Sequence, residues 1–439
     1  MLKKFEFGNS YSYRERVTLD MSAALSGELD NEGLPLPVNS ELFEVVRHRD
    51  SGSNYGILPV AAIYGKNAGG KTKLLNSLRD MALDVLGVSF SEATVHSNMN
   101  PFQQIIAQRQ FLLLSKDNRN PGISYCVCIV LDNTEYMLSY TIENSGVTKE
   151  KVTRRTLHKG SEPELLYNRK SSGYDLGVDE FINKNLELMQ ARQEKQLWFP
   201  LIAPACEGLR DVHEWFRYVR DGINFNDSNN QSEKFEHIAK RISEDAPDGG
   251  DVHFRKRLSD FLRSFDKSIV SVDGFDLEGT YSLWIFHRMA DDSGDPLVHL
   301  IEKESAGTRK LIEQFSLIDR CLENGMPFIC DELDKTLHPA VFKQLVRMFN
   351  DPKVNPNNAQ LIFSAHDTIA LDSNFLRRDQ VHIIDKGEDS VSTIKRLSEM
   401  ENVMPYPDME HEFRTGYYGS FPEDFYNCYD IQDEHETNT

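Results

Sequence analysis

Residues Leu58 to Thr72 read Leu-Pro-Val-Ala-Ala-Ile-Tyr-Gly-Lys-Asn-Ala-Gly-Gly-Lys-Thr. Leu58 to Tyr64 is a continuous apolar run ending at a glycine, the pattern of a buried strand. Gly65-Lys66-Asn67-Ala68-Gly69-Gly70-Lys71-Thr72 matches G-x-x-x-x-G-K-[ST]. From Thr72 to Leu86, Leu74, Leu75, Leu78, Met81, Ala82 and Val85 recur with a helical period. Strand, glycine-rich turn and helix is the context a phosphate loop requires. Glycines let backbone N–H groups turn inward around phosphates, and the helix N-terminus adds positive potential. Lys71 is placed to reach β/γ-phosphates and Thr72 to offer a hydroxyl to Mg²⁺. An ordinary glycine-rich turn is the bland alternative, and the flanking elements weigh against it.

A second element supplies acids. Phe328-Ile329-Cys330-Asp331-Glu332 is an apolar strand ending in two carboxylates, the Walker B pattern. The strand predicts Asp331 near the Mg²⁺ shell and Glu332 placed to orient or deprotonate an attacking water. Glu304-Ser305-Ala306-Gly307-Thr308 opens a helical run, with Gly307 lying 24 residues before Asp331. A Ser-x-Gly turn there predicts a second anion site, with a simple helix cap at Ser305 as the alternative. His366 ends another apolar strand 35 residues after Asp331, where it can bond a γ-phosphate or serve as a core histidine. Asp334 closely follows the acids, as a functional or a solvated turn residue. His338 reads as structural, before Pro339. Gln103 or Gln104, after Pro101-Phe102, lies between the phosphate loop and the helical middle, where it would serve as the Q-loop glutamine or, as the alternative, have no role in the site.

The rest of the chain reads around these motifs. Its 439 residues leave room for two to three domain-sized units, and 39% apolar content excludes wholesale disorder. No stretch approaches 18 uncharged apolar residues, so no membrane span is expected. The N-terminus lacks the apolar stretch of a secretion signal. Six scattered cysteines read as reduced and structural, so a cytoplasmic location is expected. The net charge is −20, of which residues 401–439 carry −9, with Arg414 their sole Lys or Arg. That balance gives no support to DNA as a partner, although a local basic patch stays possible. Tyr125 to Val130 and Tyr136 to Ile142 read as a hairpin through Asp132-Asn133. The expected organisation is an α/β P-loop core interrupted by a helical insert. Residues 1–180 form its first part with the phosphate loop, 181–268 the insert, 269–422 its second part, and 423–439 an acidic tail.

Phosphate loop, long insert, Ser-x-Gly, Asp-Glu and His, in that order, resemble ABC-type ATPase heads of the structural-maintenance-of-chromosomes and RecF group. Val60 to Gly65, Glu304 to Thr308, Asp331 to Pro339, Phe363 to Asp367, Arg377-Arg378-Asp379-Gln380 and Gly416-Tyr417-Tyr418-Gly419 narrow the resemblance to bacterial AAA15-type ATPases with ABC-like heads. The chain departs from that pattern at Gly69, commonly Ser, and at Ala306, without removing a phosphate ligand. The resemblance implies ATP and Mg²⁺ as cofactors. Gly65 to Thr72, Ser305 and Gly307 would bind nucleotide, Thr72 and Asp331 the metal, with Glu332 and His366 catalytic. It further implies a homodimer or higher oligomer sharing ATP sites. An ATP-driven switch in phage defence is the expected role, acting with a separate effector. Related overcoming-lysogenization-defect proteins carry a nuclease after the ATPase, and the 73 residues beyond His366 show no such constellation. The alternative is a RecF-like DNA repair module. The roughly 230 residues between Lys71 and Ser305 lack the heptads of a long coiled-coil arm.

Overall fold

The computed structural model describes residues 1–23, 56–92, 99–110, 122–158, 160–192, 194–224, 231–244, 249–289, 296–335, 339–372, 375–400 and 408–418. His338, Cys428 and the acidic tail 423–439 lie outside the described residues. In chain order the strands are β1 (Leu2–Gly8), β2 (Val17–Asp20), β3 (Val60–Gly65), β4 (Ile123–Leu131), β5 (Thr134–Glu143), β6 (Gly146–Thr156), β7 (Glu164–Lys170), β8 (Gly173–Leu176), β9 (Ile223–Asn224), β10 (Ile269–Leu277), β11 (Thr280–Arg288), β12 (Pro296–Leu300), β13 (Pro327–Cys330), β14 (Gln360–Ser364), β15 (Val381–Lys386) and β16 (Ser392–Arg396). They form three sheets, ordered β2-β1-β4-β5-β6-β7-β8, β10-β11-β12 and β16-β15-β3-β14-β13-β9.

The six-stranded sheet positions the site. β15, β3, β14, β13 and β9 run parallel, and β16 closes one edge antiparallel to β15. A parallel sheet is covered on both faces, so its strands are apolar throughout rather than alternating. β3 is buried at every position. Its side chains alternate between two cores. Ala61 and Ile63 join Leu74 and Leu78 of helix Lys71–Val85. Val60, Ala62 and Tyr64 join Phe342 and Val346 of helix Pro339–Asn350. Ile329 and Ile362 face the first core, and Phe328 and Phe363 the second. Each fully buried side chain of this size contributes about 1.5–3 kcal/mol. Ile63→Asp would put an unpaired charge between strand and helix and destabilise this unit.

The seven-stranded sheet is antiparallel, and its β4–β5 turn places Asp132 (φ 42°) and Asn133 (φ 61°) in the left-handed conformation of a two-residue hairpin. β1 lies between β2 and β4, and β2 forms the edge. The described residues of 181–268 contribute to more than one core. Trp215 and Phe216 of helix Glu207–Asp221 enter the first core. β9 pairs with β13. Helices Gln231–Ile242 and Val252–Phe265 pack on β10 and β11 in a third core that includes Phe315. Among the described residues no helix is long and apolar enough to cross a membrane.

Candidate nucleotide site

The phosphate loop leaves the C-terminal end of β3 and is braced from two sheets. Ser392 Oγ on β16 donates to Gly69 O at 2.6 Å, and Tyr13 Oη donates to Gly70 O at 3.0 Å. These bonds hold the Gly69 and Gly70 carbonyls, and within the loop Gly69 N donates to Lys66 O at 3.1 Å. The glycines matter at two positions. A Cβ on Gly65 would lie 2.2 Å from Ile384 O, and one on Gly70, at φ +120°, would meet Ser392 Oγ at 2.7 Å. Only glycine lets the backbone pass there. Lys71 Nζ donates to Gly65 O at 2.7 Å and Lys66 O at 3.2 Å, which curls the side chain over its own loop. Burial lowers the Lys71 pKa, against the opposing pull of Asp331, Asp334 and Glu332.

Parallel register delivers the acids. β13 and β14 pair Cys330 with Phe363, so Asp331 follows level with Ser364. Thr72 Oγ1 donates to Asp331 Oδ2 at 2.7 Å. Ser364 Oγ donates to Asp331 Oδ1 and accepts from Glu332 N at 2.8 Å. Glu332 adopts φ +52°, a left-handed conformation that non-glycine residues rarely enter and that often marks a functional position. Its Oε1 takes Lys335 Nζ at 2.6 Å and lies 3.3 Å from His366 Nε2. The Lys335 hydrogen bond, aided by His366, holds the Glu332 carboxyl below its ordinary range. Asp334 Oδ2 accepts from His366 N at 2.8 Å and Asp367 N at 2.6 Å, tying the two acid-bearing loops together.

Asn67 to Thr72, Glu332 and His366 line one cleft of about 740 Å³, together with Tyr11, Ser12, Lys335, Lys386 and Ser390. Ser305 and Gly307 are not brought to it. Ser305 caps helix Ala306–Asn324, its Oγ accepting from Thr308 N at 3.0 Å. Beside Gly307 an added Cβ would touch only Ser305 Oγ. Gln103 completes a capping box with Asn100, and Gln104 Nε2 donates to Met99 O, so neither reaches the cleft. Ser364, Ser392 and Tyr13 carry no sequence signal, because each acts across a strand pairing or between sheets.

The residues fit a Mg²⁺–nucleotide. Thr72 and Asp331 present adjacent oxygens, which suit a hard cation. Glycine at 65 and 70 lets the loop lie tight against Ile384 and Ser392, which holds its backbone at the mouth of the cleft. Residues 60–372 match the family described as "AAA domain, putative AbiEii toxin, Type IV TA system". No curated protein matches the sequence. Among solved structures, the chain is similar to an Smc head bound to the C-winged helix domain of ScpA, with 15% identity over 90% of this chain and 96% of that one, at a TM-score of 0.41. It is similar to the SMC head domain from Thermotoga maritima, with 16% identity, 90% and 98% coverage and a TM-score of 0.38. An Smc head from Pyrococcus furiosus with an extended coiled coil, bound to the C-terminal domain of ScpA, shares 13% identity over 90% of this chain and 95% of that one, at 0.38.

Proposed function

The chain belongs to the AAA-domain family that its residues 60–372 match, and from that premise we propose an ATP-hydrolysing switch whose site is completed by a second copy of the chain. The observation that carries it is the Thr72–Asp331 contact at 2.7 Å, with Glu332 and His366 on the same cleft. ATP supplies the phosphoanhydride, and Mg²⁺ the charge that neutralises it. Thr72 and Asp331 would hold the cation. Lys71 would exchange its loop carbonyls for β/γ-phosphate oxygens. Glu332 accepts the proton of the attacking water, with Lys335 and His366 fixing Oε1 and leaving Oε2 for that role. His366, on the same cleft, would bond the γ-phosphate.

The exposed Ser305-Ala306-Gly307 turn is assigned to the partner's nucleotide rather than to its own. Its absence from the cleft and the open space beside Gly307 support that reading. The AAA15-type resemblance and the family's toxin–antitoxin description support a defence role beside a separate effector. Mixing Lys71→Ala with Ser305→Arg chains tests the shared site. Each mutant alone has two broken sites, whereas a mixed dimer regains one intact site, so activity should return on mixing. Persistent inactivity in folded, subunit-exchanging proteins rejects the shared site. Phage plating on cells carrying the native locus tests the role: wild type should lower plating efficiency, and Glu332→Gln should not. Equal plating would remove the defence reading and leave the ATPase intact.

A further inference from the structure

We propose that His287, His299 and Glu304 form a zinc site that fastens the three-stranded sheet to the start of helix Ala306–Asn324. The pairing of β11 with β12 sets Ile285 opposite His299 and His287 opposite Leu297. His287 and His299 are therefore diagonal neighbours on one face of the sheet. Their rings stack with centroids 4.9 Å apart. Glu304, the residue before the helix cap Ser305, aims its carboxylate at both. Its Oε1 lies 2.8 Å from His287 Nε2 and 2.5 Å from His299 Nε2. One ligand atom from each residue falls within 4.8 Å of the other two.

Two imidazoles and one carboxylate are a recurrent three-ligand set for Zn²⁺, with the fourth tetrahedral position left to water. Mg²⁺ and Ca²⁺ prefer oxygen throughout, so the nitrogen pair selects a late first-row cation. Zn–N and Zn–O distances of about 2.0–2.1 Å place tetrahedral ligand atoms roughly 3.3 Å apart. The present Nε2–Oε1 separations reach that geometry by outward shifts of under about 1 Å per atom. The side chains are 12%, 22% and 9% exposed for His287, His299 and Glu304, sheltered yet reachable from solvent.

The outer contacts suit the same assignment. Ser268 Oγ lies 2.8 Å from His287 Nδ1. A hydroxyl both donates and accepts, so it serves either tautomer. With Nε2 protonated toward Glu304, Ser268 donates to Nδ1. With the Nε2 lone pair on a metal, the proton moves to Nδ1 and Ser268 accepts it, the outer-shell arrangement that orients ligating histidines. No proton is gained or lost by the ring in that exchange. The tethered Glu304 is one residue from Ser305, so the cation would fix the exposed turn from behind. This assignment is independent of the nucleotide reading.

The test uses the full chain, stripped with chelator and free of nucleotide, titrated with Co²⁺ as a visible probe and then with Zn²⁺. One equivalent of Co²⁺ should give a tetrahedral ligand-field band that Zn²⁺ bleaches. The band should vanish in the His287→Ala/His299→Ala double variant, weaken in Glu304→Gln and persist in Asp331→Ala. Absence of a stoichiometric band in wild type overturns the proposal, as does a band that survives the double variant. If the double variant does not fold, histidine modification of wild type by diethylpyrocarbonate decides. Zn²⁺ should protect His287 and His299, and unchanged modification of both rejects the site.

Discussion

The phosphate loop and the Ser305 turn are both glycine-bearing helix starts, yet the molecule treats them differently. The first is clamped by Ser392 and Tyr13 and shares a cleft with Glu332 and His366, while its Thr72 bonds Asp331. The second is exposed, is capped by Ser305 on Thr308 N, and is tethered from behind through Glu304 to two histidines. Under the proposed shared site, one half would be assembled within a single chain and the other presented outward to a second copy. The contrast teaches that a motif's completeness in sequence says little about whether one chain completes the site.

The largest expected effect separates the halves. Lys71→Ala should lower nucleotide affinity at least about a hundredfold in calorimetry, because β/γ-phosphate charge would lie uncompensated in a partly buried site. Glu332→Gln should keep affinity and lose about 10²–10⁴-fold in turnover, the range of general-base removal. Ser305→Arg should also keep affinity while losing turnover. If Ser305→Arg weakens binding as much as Lys71→Ala does, both halves act on one chain's nucleotide and the contrast collapses.

The motif-bearing strands were legible because their signals are local. β3, the loop and helix Lys71–Val85 are contiguous, and the acids of Asp331-Glu332 end an apolar run. β6 was not legible, since it reads Gly-Val-Thr-Lys-Glu-Lys-Val-Thr-Arg-Arg-Thr and buries a charge. Glu150 is 1% exposed because Trp198 N and Phe199 N donate to its carboxylate at 2.9 and 2.8 Å, with Tyr167 Oη at 2.6 Å. No hydrophobic pattern announces such a site. The brace at Ser392 joins residues 323 apart, and the His287–His299–Glu304 cluster depends on a strand register, so both required the folded chain.

A smaller effect concerns how the assembled half is anchored. His382 on β15 is buried, and its Nε2 lies 3.2 Å from Asp20 O on β2, a link between the two large sheets. Burial drives its pKa from 6.5 down to about 4. Between those values the unfolded chain takes a proton that the folded chain refuses. The stabilisation is therefore complete above about pH 6.5 and is lost as pH falls toward 4, by at most roughly 3 kcal/mol. His382→Gln should flatten the stability profile over that window in guanidinium titrations at each pH. An unchanged slope would mean the joint is not where acid acts.

The smallest effect tests whether the assembled half is prepared before nucleotide arrives. Ser364 touches no part of the phosphate loop, yet its hydroxyl donates to Asp331 and accepts from Glu332 N at 2.8 Å. It is fully buried at the end of β14. Ser364→Ala removes no ligand and creates almost no cavity, so folding should be near wild type. Two consequences follow for the acids. Asp331 Oδ1 loses its donor and regains rotational freedom against Thr72, and Glu332 N is left without that acceptor beside a left-handed backbone. A loss of about tenfold in turnover, roughly 1.4 kcal/mol of barrier, is expected with little change in nucleotide affinity. Ser364→Thr keeps the hydroxyl and should recover part of the loss if its added methyl is tolerated. Ser364→Ala turnover within twofold of wild type would show that the carboxylates are positioned by the bound cation rather than by the strand register. The contrast between a prebuilt half and an outward-facing half would then rest on the phosphate loop alone.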